Sequence, residues 1–362
     1  RWNLARDCKI PAMLTIIFLV LLLLWKRPRP PAAPLTDWSR FAYTQYATDD
    51  PSMCNAYMVF EALQRLDSKA ERVLLYPEEW DRERNDPSDR TKQLLLRAKR
   101  HFGVKLKPIQ LLSVTGPASP PPPGGRSNSD TSITKLRVFE LDSYARVLHL
   151  DNDITLLQNL DELFLLPRAP IAMPRMYWAD QNPNTDGLMT SMLMLVEPNA
   201  AETRNLYDLL QSWRPDNTKG EKQKYDMDLL NERFGSSAMV LPQRPYALLT
   251  GEFRKHNHDA YMGTSHAPGN IPRWDARRAI KEAKVVHFSD WPLPKPWVMG
   301  NSAAMKEMQP DCDGQAAGCP ERDVWYELYD DFRLRRKDLC KLLSEPGPRD
   351  WEKYKNSTRL LS

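Results

Sequence analysis

Apolar and polar positions along the chain settle into a repeating strand–helix pattern from residue 40 onward. Residues 42–46 read as a first strand, closed by a turn over 48–51. From residue 55 to 66, Ala56, Val59, Phe60, Leu63 and Leu66 recur at helical spacing. Residues 73–76 form a short apolar run that predicts a buried strand. A basic amphipathic helix follows over 91–102 and a third strand over 106–114. This order predicts an α/β fold whose parallel sheet is covered by helices on both faces.

The pattern breaks at 116–130, GPASPPPPGGRSNSD, which has too few apolar residues to build a core and reads as a disordered surface loop. It resumes with a helix over 133–141, a strand over 146–150, a Met-rich apolar run over 188–196 read as another central strand, and a later strand over 284–288. Beyond Trp297 the periodicity weakens, and the mixed-charge segment from Asp311 reads as a short helical tail. The expected organisation is a single Rossmann-like α/β domain with a mostly parallel central sheet over 40–310, and an extension over 311–362.

A different pattern precedes this domain. Residues 10–25, IPAMLTIIFLVLLLLW, carry no charge, with Arg1, Arg6 and Lys9 before them and Lys26, Arg27 and Arg29 after. As a helix the run spans about 24 Å, short of the hydrocarbon core of about 30 Å. Flanking cations can snorkel, and early secretory membranes are thinner. Leu24-Trp25-Lys26-Arg27 is a poor signal-cleavage site, although Pro31-Ala32-Ala33 leaves cleavage open. The expectation is an uncleaved transmembrane helix over 10–25, with a short cytosolic tail over 1–9 and a Pro-rich extended stem over 26–39. Basic residues on both flanks leave the positive-inside rule undecided. A short tail opposite a large folded domain is the layout of a type II protein with a luminal domain.

Charge and cysteine content narrow the choices. With 51 basic and 47 acidic residues, the net charge of +4 gives no concentrated basic surplus for nucleic acid. Five cysteines, Cys8, Cys54, Cys312, Cys319 and Cys340, lack zinc-ribbon spacing. Cys312 and Cys319 either close a small disulfide loop in an oxidising lumen or remain reduced thiols.

The candidate chemistry lies at strand ends. Asp151-Asn152-Asp153 follows the 146–150 strand, and ligands of open α/β sheets bind beyond the carboxyl ends of strands. Two carboxylates two residues apart suit a divalent cation such as Mn²⁺ or Mg²⁺; the bland alternative is a polar turn. His287 ends the 284–288 strand, and if both strands belong to one sheet it would meet the carboxylates at one rim as a third ligand. Lys295, in the following loop, could meet a diphosphate as a point charge, or be a solvated loop lysine. Asp228, in Tyr225-Asp226-Met227-Asp228, reads as a helix-capping residue. Lys135, at the start of the 133–141 helix, carries no meaning alone.

Together these segments resemble the glycogenin-like glycosyltransferases, glycosyltransferase family 8. The stretch ITKLRVFELDSYARVLHLDNDITLLQNLDELFLLP at 133–167 resembles the family's Thr-Lys-Leu helix, its strand, its Asp-x-Asp triplet and the helix after it. KVVHFSDWPLPKPW at 284–297 resembles its His-Phe…Lys-Pro-Trp ending, QYATDDPSMCNAYMVFEAL at 45–63 its nucleotide-binding first strand and helix, and YDMDLLN at 225–231 its Asp-Gln segment. The details are most similar to a fungal membrane-anchored N-acetylglucosaminyltransferase branch.

The resemblance implies a GT-A fold and a retaining enzyme. It would move a sugar, N-acetylglucosamine by the branch and otherwise glucose or galactose, from a UDP-sugar to a glycan acceptor in the Golgi membrane. Asp151, Asp153 and His287 would hold Mn²⁺, and Lys295 would bind the donor diphosphate. Thr48 and Asp49 would lie near uracil and ribose, Lys135 would reach the donor sugar or phosphate, and Asp226 would sit beside the transferred sugar. Thr190-Ser191-Met192 and Met227 depart from the family's usual Asn-Ser-Gly and Gln, and two residues are added between His287 and Lys295. A catalytically silent glycan-binding or partner-binding module is the competing class. A nucleotidyltransferase is disfavoured, because 48–51 is no Gly-rich phosphate loop.

Overall fold

The cap of the first long helix shows how closely the local sequence is followed. Helix α1 (Asp50–Arg65) begins at Asp49, whose carboxylate accepts from Ser52 N at 2.8 Å, while the Ser52 hydroxyl accepts from Asp49 N at 3.0 Å. This is a reciprocal capping box with Pro51 in the first turn. The computed structural model describes residues 36–113, 131–179, 187–213, 224–263, 273–298, 302–312, 318–341 and 351–359. The segments read as cytosolic tail and membrane span, residues 26–35 of the stem, and the loop over 116–130 lie outside them. Among the described residues no helix is long and apolar enough to cross a membrane.

The chain from Trp38 to Ser362 forms one unit around a seven-stranded sheet of order β3-β2-β1-β4-β7-β6-β8. The strands are β1 (Phe41–Tyr46), β2 (Glu71–Pro77), β3 (Lys105–Ile109), β4 (Arg146–Leu150), β6 (Ile171–Pro174), β7 (Leu193–Val196) and β8 (Met239–Leu241). All pair in parallel except β7, which runs antiparallel to β4 and β6. The expected mostly parallel α/β sheet is therefore present as a mixed sheet. Successive residues divide between its faces: Tyr43, Leu74 and Leu148 enter one core cluster, and Ala42, Val73 and Val147 the other. Helices α1 and α2 (Arg90–Phe102) pack together on the first face.

Four expectations are corrected. The run over 188–196 is strand only from Leu193, because Thr190 and Ser191 turn into the functional cleft. The segment 133–141 is a tighter 3-10 helix over Ser132–Glu140. His287 does not join the main sheet: β10 (Val285–His287) lies between β5 (Ile154–Leu156) and β9 (Leu248–Leu249) in a second, three-stranded sheet. The expected short tail contains a 21-residue helix, called α6 below (Pro320–Cys340). It buries Val324, Trp325, Leu328, Tyr329, Phe332, Arg336 and Cys340 in one stripe, and its many outward charges hide that stripe from a reading by average polarity.

Among the described residues there are two disulfides. Cys312 pairs with Cys319, which resolves the two readings of that pair, and Cys54 of α1 pairs with Cys340 of α6 across 286 residues. Closing so long a loop restricts the unfolded chain strongly. The double variant Cys54→Ala/Cys340→Ala should lose about 2–5 kcal/mol of stability, read as a lowered melting temperature of the oxidised protein. A melting temperature equal to the parent's would show that this link contributes nothing.

Candidate active site

The cleft opens beyond the carboxyl ends of β1 and β4, where the strand order changes direction and α/β sheets leave a crevice. It encloses about 320 Å³. Tyr46 and Thr48 line it from the β1 side, Asp151 to Asp153 from the β4 side, and Ser191, Asp226 and Met227 from across the sheet.

Asp151, Asp153 and His287 offer ligand atoms within 4.8 Å of one another. The meeting follows from strand register. β5 starts directly after Asp153 and pairs antiparallel with β10, setting Ile154 opposite His287. Phe288 N then donates to Asp153 O at 3.0 Å. On the other side, Asp151 N donates to Met192 O at 2.8 Å, and Asn152 Nδ2 donates to Tyr46 O at 3.3 Å. The convergence expected within one sheet is thus produced by the small second sheet, which leaves the main one at Asp153.

Both carboxylates already face cations. Lys295 Nζ lies 2.7 Å from Asp153 Oδ2 and donates to Phe288 O at 2.6 Å; His287 Nε2 lies 3.1 Å from the same Asp153 oxygen. Burial acts to raise the Asp153 carboxyl, but His287 and Lys295 outweigh it and hold the group far below the ordinary carboxylate range. Two hard carboxylates and an imidazole fit a divalent cation. His287 Nδ1, buried and without a hydrogen-bond partner, is a further polar atom that the described residues leave unsatisfied.

Lys135, which carried no meaning in sequence, is a hub. Its side chain is 3% exposed, with Nζ 2.8 Å from Asp151 Oδ1, 2.9 Å from Asp226 Oδ2 and 3.3 Å from Ser191 Oγ. Three ammonium protons meet three oxygens from three separate segments. Burial alone would lower the Lys135 pKa; Asp151 and Asp226 outweigh it and raise it well above the ordinary lysine range. Burial likewise acts to raise Asp226, and Lys135 and Ser191 bring it below its ordinary value. Ser191 Oγ donates to Asp226 Oδ2 at 2.6 Å.

The other expected residues divide. Thr48 lines the cleft, whereas Asp49 caps α1 and is not among the lining residues. Asp228 accepts from Tyr225 N at 2.8 Å and caps α4 (Asp226–Phe234), as read from sequence. His149 was missed. It is fully buried, its Nδ1 lies 3.1 Å from Thr44 Oγ1, and its Nε2 lies 3.8 Å from Asp151 Oδ1. A histidine inside an apolar strand, on the same face as an Asp two residues later, was the available signal.

No family model matches the chain. It is 45% identical over 343 residues to glucose N-acetyltransferase 1 of Aspergillus fumigatus, covering 90% of this chain and 85% of that protein. The chain belongs to the glucose N-acetyltransferase 1 family. A Gibberella zeae member is 39% identical over 312 residues, covering 86% of this chain and 65% of that protein. These relatives are fungal, in line with the fungal branch that QYAT at 45–48, YDMD at 225–228 and SDWPLPKPW at 289–297 resemble. Among solved structures, galactosyltransferase LgtC in complex with donor and acceptor sugar analogues aligns with a TM-score of 0.49 at 14% identity, over 86% of this chain and 99% of that chain.

The buried charges give a pH signature. Asp226, lowered on folding, contributes stability that is present above its unfolded pKa of about 4 and is lost as pH falls through the folded value. Lys135, raised on folding, contributes stability that is present below about 10.4 and is lost as pH rises through its folded value. Lys135→Met should cost about 3–5 kcal/mol near neutral pH, because it strands two carboxylates. Asp226→Asn should flatten the acid limb of a urea-denaturation series. An acid limb unchanged from the parent's would remove Asp226 from this account.

Proposed function

We propose that the protein is a retaining glycosyltransferase that moves N-acetylglucosamine from a UDP donor to a glycan acceptor with the help of Mn²⁺. The observation that carries this reading is the meeting of Asp151, Asp153, His287, Lys135 and Lys295 in one cleft at the strand-order switch. Three metal-ligating groups and two ammonium groups suit a nucleoside diphosphate. A cation bound there would supply charge neutralisation to the departing diphosphate.

The residues divide the remaining work. Lys295 is 40% exposed and can turn from Asp153 toward a diphosphate oxygen. Lys135 holds Asp226 ionised and fixed beside the transferred sugar. Because Asp226 has a lowered proton affinity, it is a poor base. The acceptor proton then passes to the leaving phosphate oxygen, which places attack and departure on one face and retains configuration. Met192 and Met227 line the cleft near Ser191 and Asp226, an apolar, adaptable surface suited to an acetamido methyl group rather than a bare hydroxyl.

The relatives' name favours a second reading, acetyl transfer to a sugar amine. That reaction has no evident use for a carboxylate–imidazole trio with two flanking ammonium groups. For localisation we place the catalytic unit in the Golgi lumen behind a type II anchor at 10–25. Two disulfides support an oxidising compartment.

A fragment lacking residues 1–34 tests these readings through UDP release from a panel of UDP-sugars. Release should favour UDP-N-acetylglucosamine, require Mn²⁺, stop with EDTA, and fall on the order of 100-fold or more in Asp153→Asn assayed below that variant's own melting temperature. Equal turnover of that variant and the parent would sink the metal assignment. Release of coenzyme A from acetyl-coenzyme A on a glucosamine acceptor, with no UDP release, would favour acetyl transfer.

A further inference from the structure

Lys295 sits in a surface loop, 289–297, that has little regular structure of its own. What fixes the loop is a buried carboxylate on its second residue. Asp290 has a fully buried side chain. Its Oδ2 accepts from Trp325 Nε1 at 3.1 Å and from Tyr329 OH at 2.9 Å, and its Oδ1 lies 3.3 Å from Arg254 Nη1. The Asp290 carbonyl accepts from Leu293 N at 2.6 Å, closing the first turn of the loop. At the far end, Arg333 Nε donates to Pro296 O at 3.2 Å.

Trp325, Tyr329 and Arg333 are spaced four residues apart on α6 and therefore share one face. That single face holds the loop on both sides of Lys295. The same helix then reaches the β1–α1 turn, whose Thr48 also lines the cleft. Arg336 Nη1 donates to Pro51 O at 3.2 Å and to the Asn55 side chain, and Cys340 is bonded to Cys54. Pro51, Asn55 and Cys54 belong to the first turns of α1, directly after Thr48. One rigid helix thus spaces the Lys295 loop from the β1–α1 turn.

We propose that Asp290, held by Trp325 and Tyr329, is a positioning residue that sets the height of Lys295 over the donor diphosphate, and that α6 is the strut that fixes the diphosphate end of the cleft relative to the β1–α1 end. The inference rests on the transferase reading given above. It assigns a role in donor binding to a helix that lies beyond the motifs of the cleft. Burial explains why Asp290 can act so. A carboxylate removed from water must keep its donors, so the loop cannot drift without leaving that charge unpaired.

The test is a double-mutant cycle on the full chain in mild detergent, with UDP affinity measured by calorimetry in Mn²⁺. Asp290→Ala is a poor probe, since it leaves buried donors unpaired and threatens folding. Tyr329→Phe removes one hydrogen bond and keeps the ring, and it should weaken UDP binding about fivefold. Lys295→Ala should weaken it about tenfold or more, and the double variant should bind no more weakly than Lys295→Ala alone. Trp325→Phe must show the same coupling. If Tyr329→Phe leaves UDP affinity unchanged, or costs the same factor with Lys295 present or absent, Asp290 serves stability only and the proposal is overturned. Failure of the parent itself to bind UDP would overturn the transferase reading and this inference together. Tight binding by the parent with no coupling overturns this inference alone.

Discussion

The buried ammonium of Lys135 is the charge on which the cleft depends. It draws Asp151 from the end of β4, Asp226 from the start of α4 and Ser191 from the approach to β7 to within 3.3 Å of one nitrogen. Two carboxylates this close would repel each other, and each would be costly to bury. With Lys135 between them, both side chains become fixed parts of the wall. The 3-10 helix Ser132–Glu140 delivers that side chain to the cleft.

Asp153 takes the other direction. One residue after it the chain leaves the main sheet, and β5 begins a small sheet of its own with β10. Asp151 and Asp153 therefore lie between two different sheets, Asp151 just after β4 and Asp153 just before β5, and the triplet links the two sheets across the cleft. The geometry is firm because neighbouring backbone groups are paired on both sides, Asp151 N to Met192 and Asp153 O to Phe288. Two lysines serve unequal purposes here. Lys135 is buried and satisfied, while Lys295 is partly exposed and rests on a carboxylate that a cation would also claim.

The α6 helix connects this local chemistry to global stability. It buries an apolar stripe against α1, the Ala276–Glu282 helix and the Thr250–Arg254 turn, carries the donors for Asp290, and is bonded covalently to α1. Stability and site geometry are coupled, because the side chains that fill the core on this face also hold the loop bearing Lys295.

Much of this was legible in the sequence, because it is local. The strand at 146–150, the carboxylates at its carboxyl end, the cap at Asp228 and the order of strands and helices follow from short-range periodicity and turn chemistry, and the motif segments pointed to the family. The tertiary structure decided the rest, since each remaining feature joins positions far apart in the chain. Lys135 gains meaning only when Asp151 and Asp226 meet it, His287 reaches the carboxylates through a sheet that no periodicity reveals, and Cys54 finds Cys340 across 286 residues. Asp290 reads as a loop residue until α6 buries it. A sequence encodes propensities over a few residues, whereas a charge hub or a strut exists only once folding has brought distant groups within reach of one another.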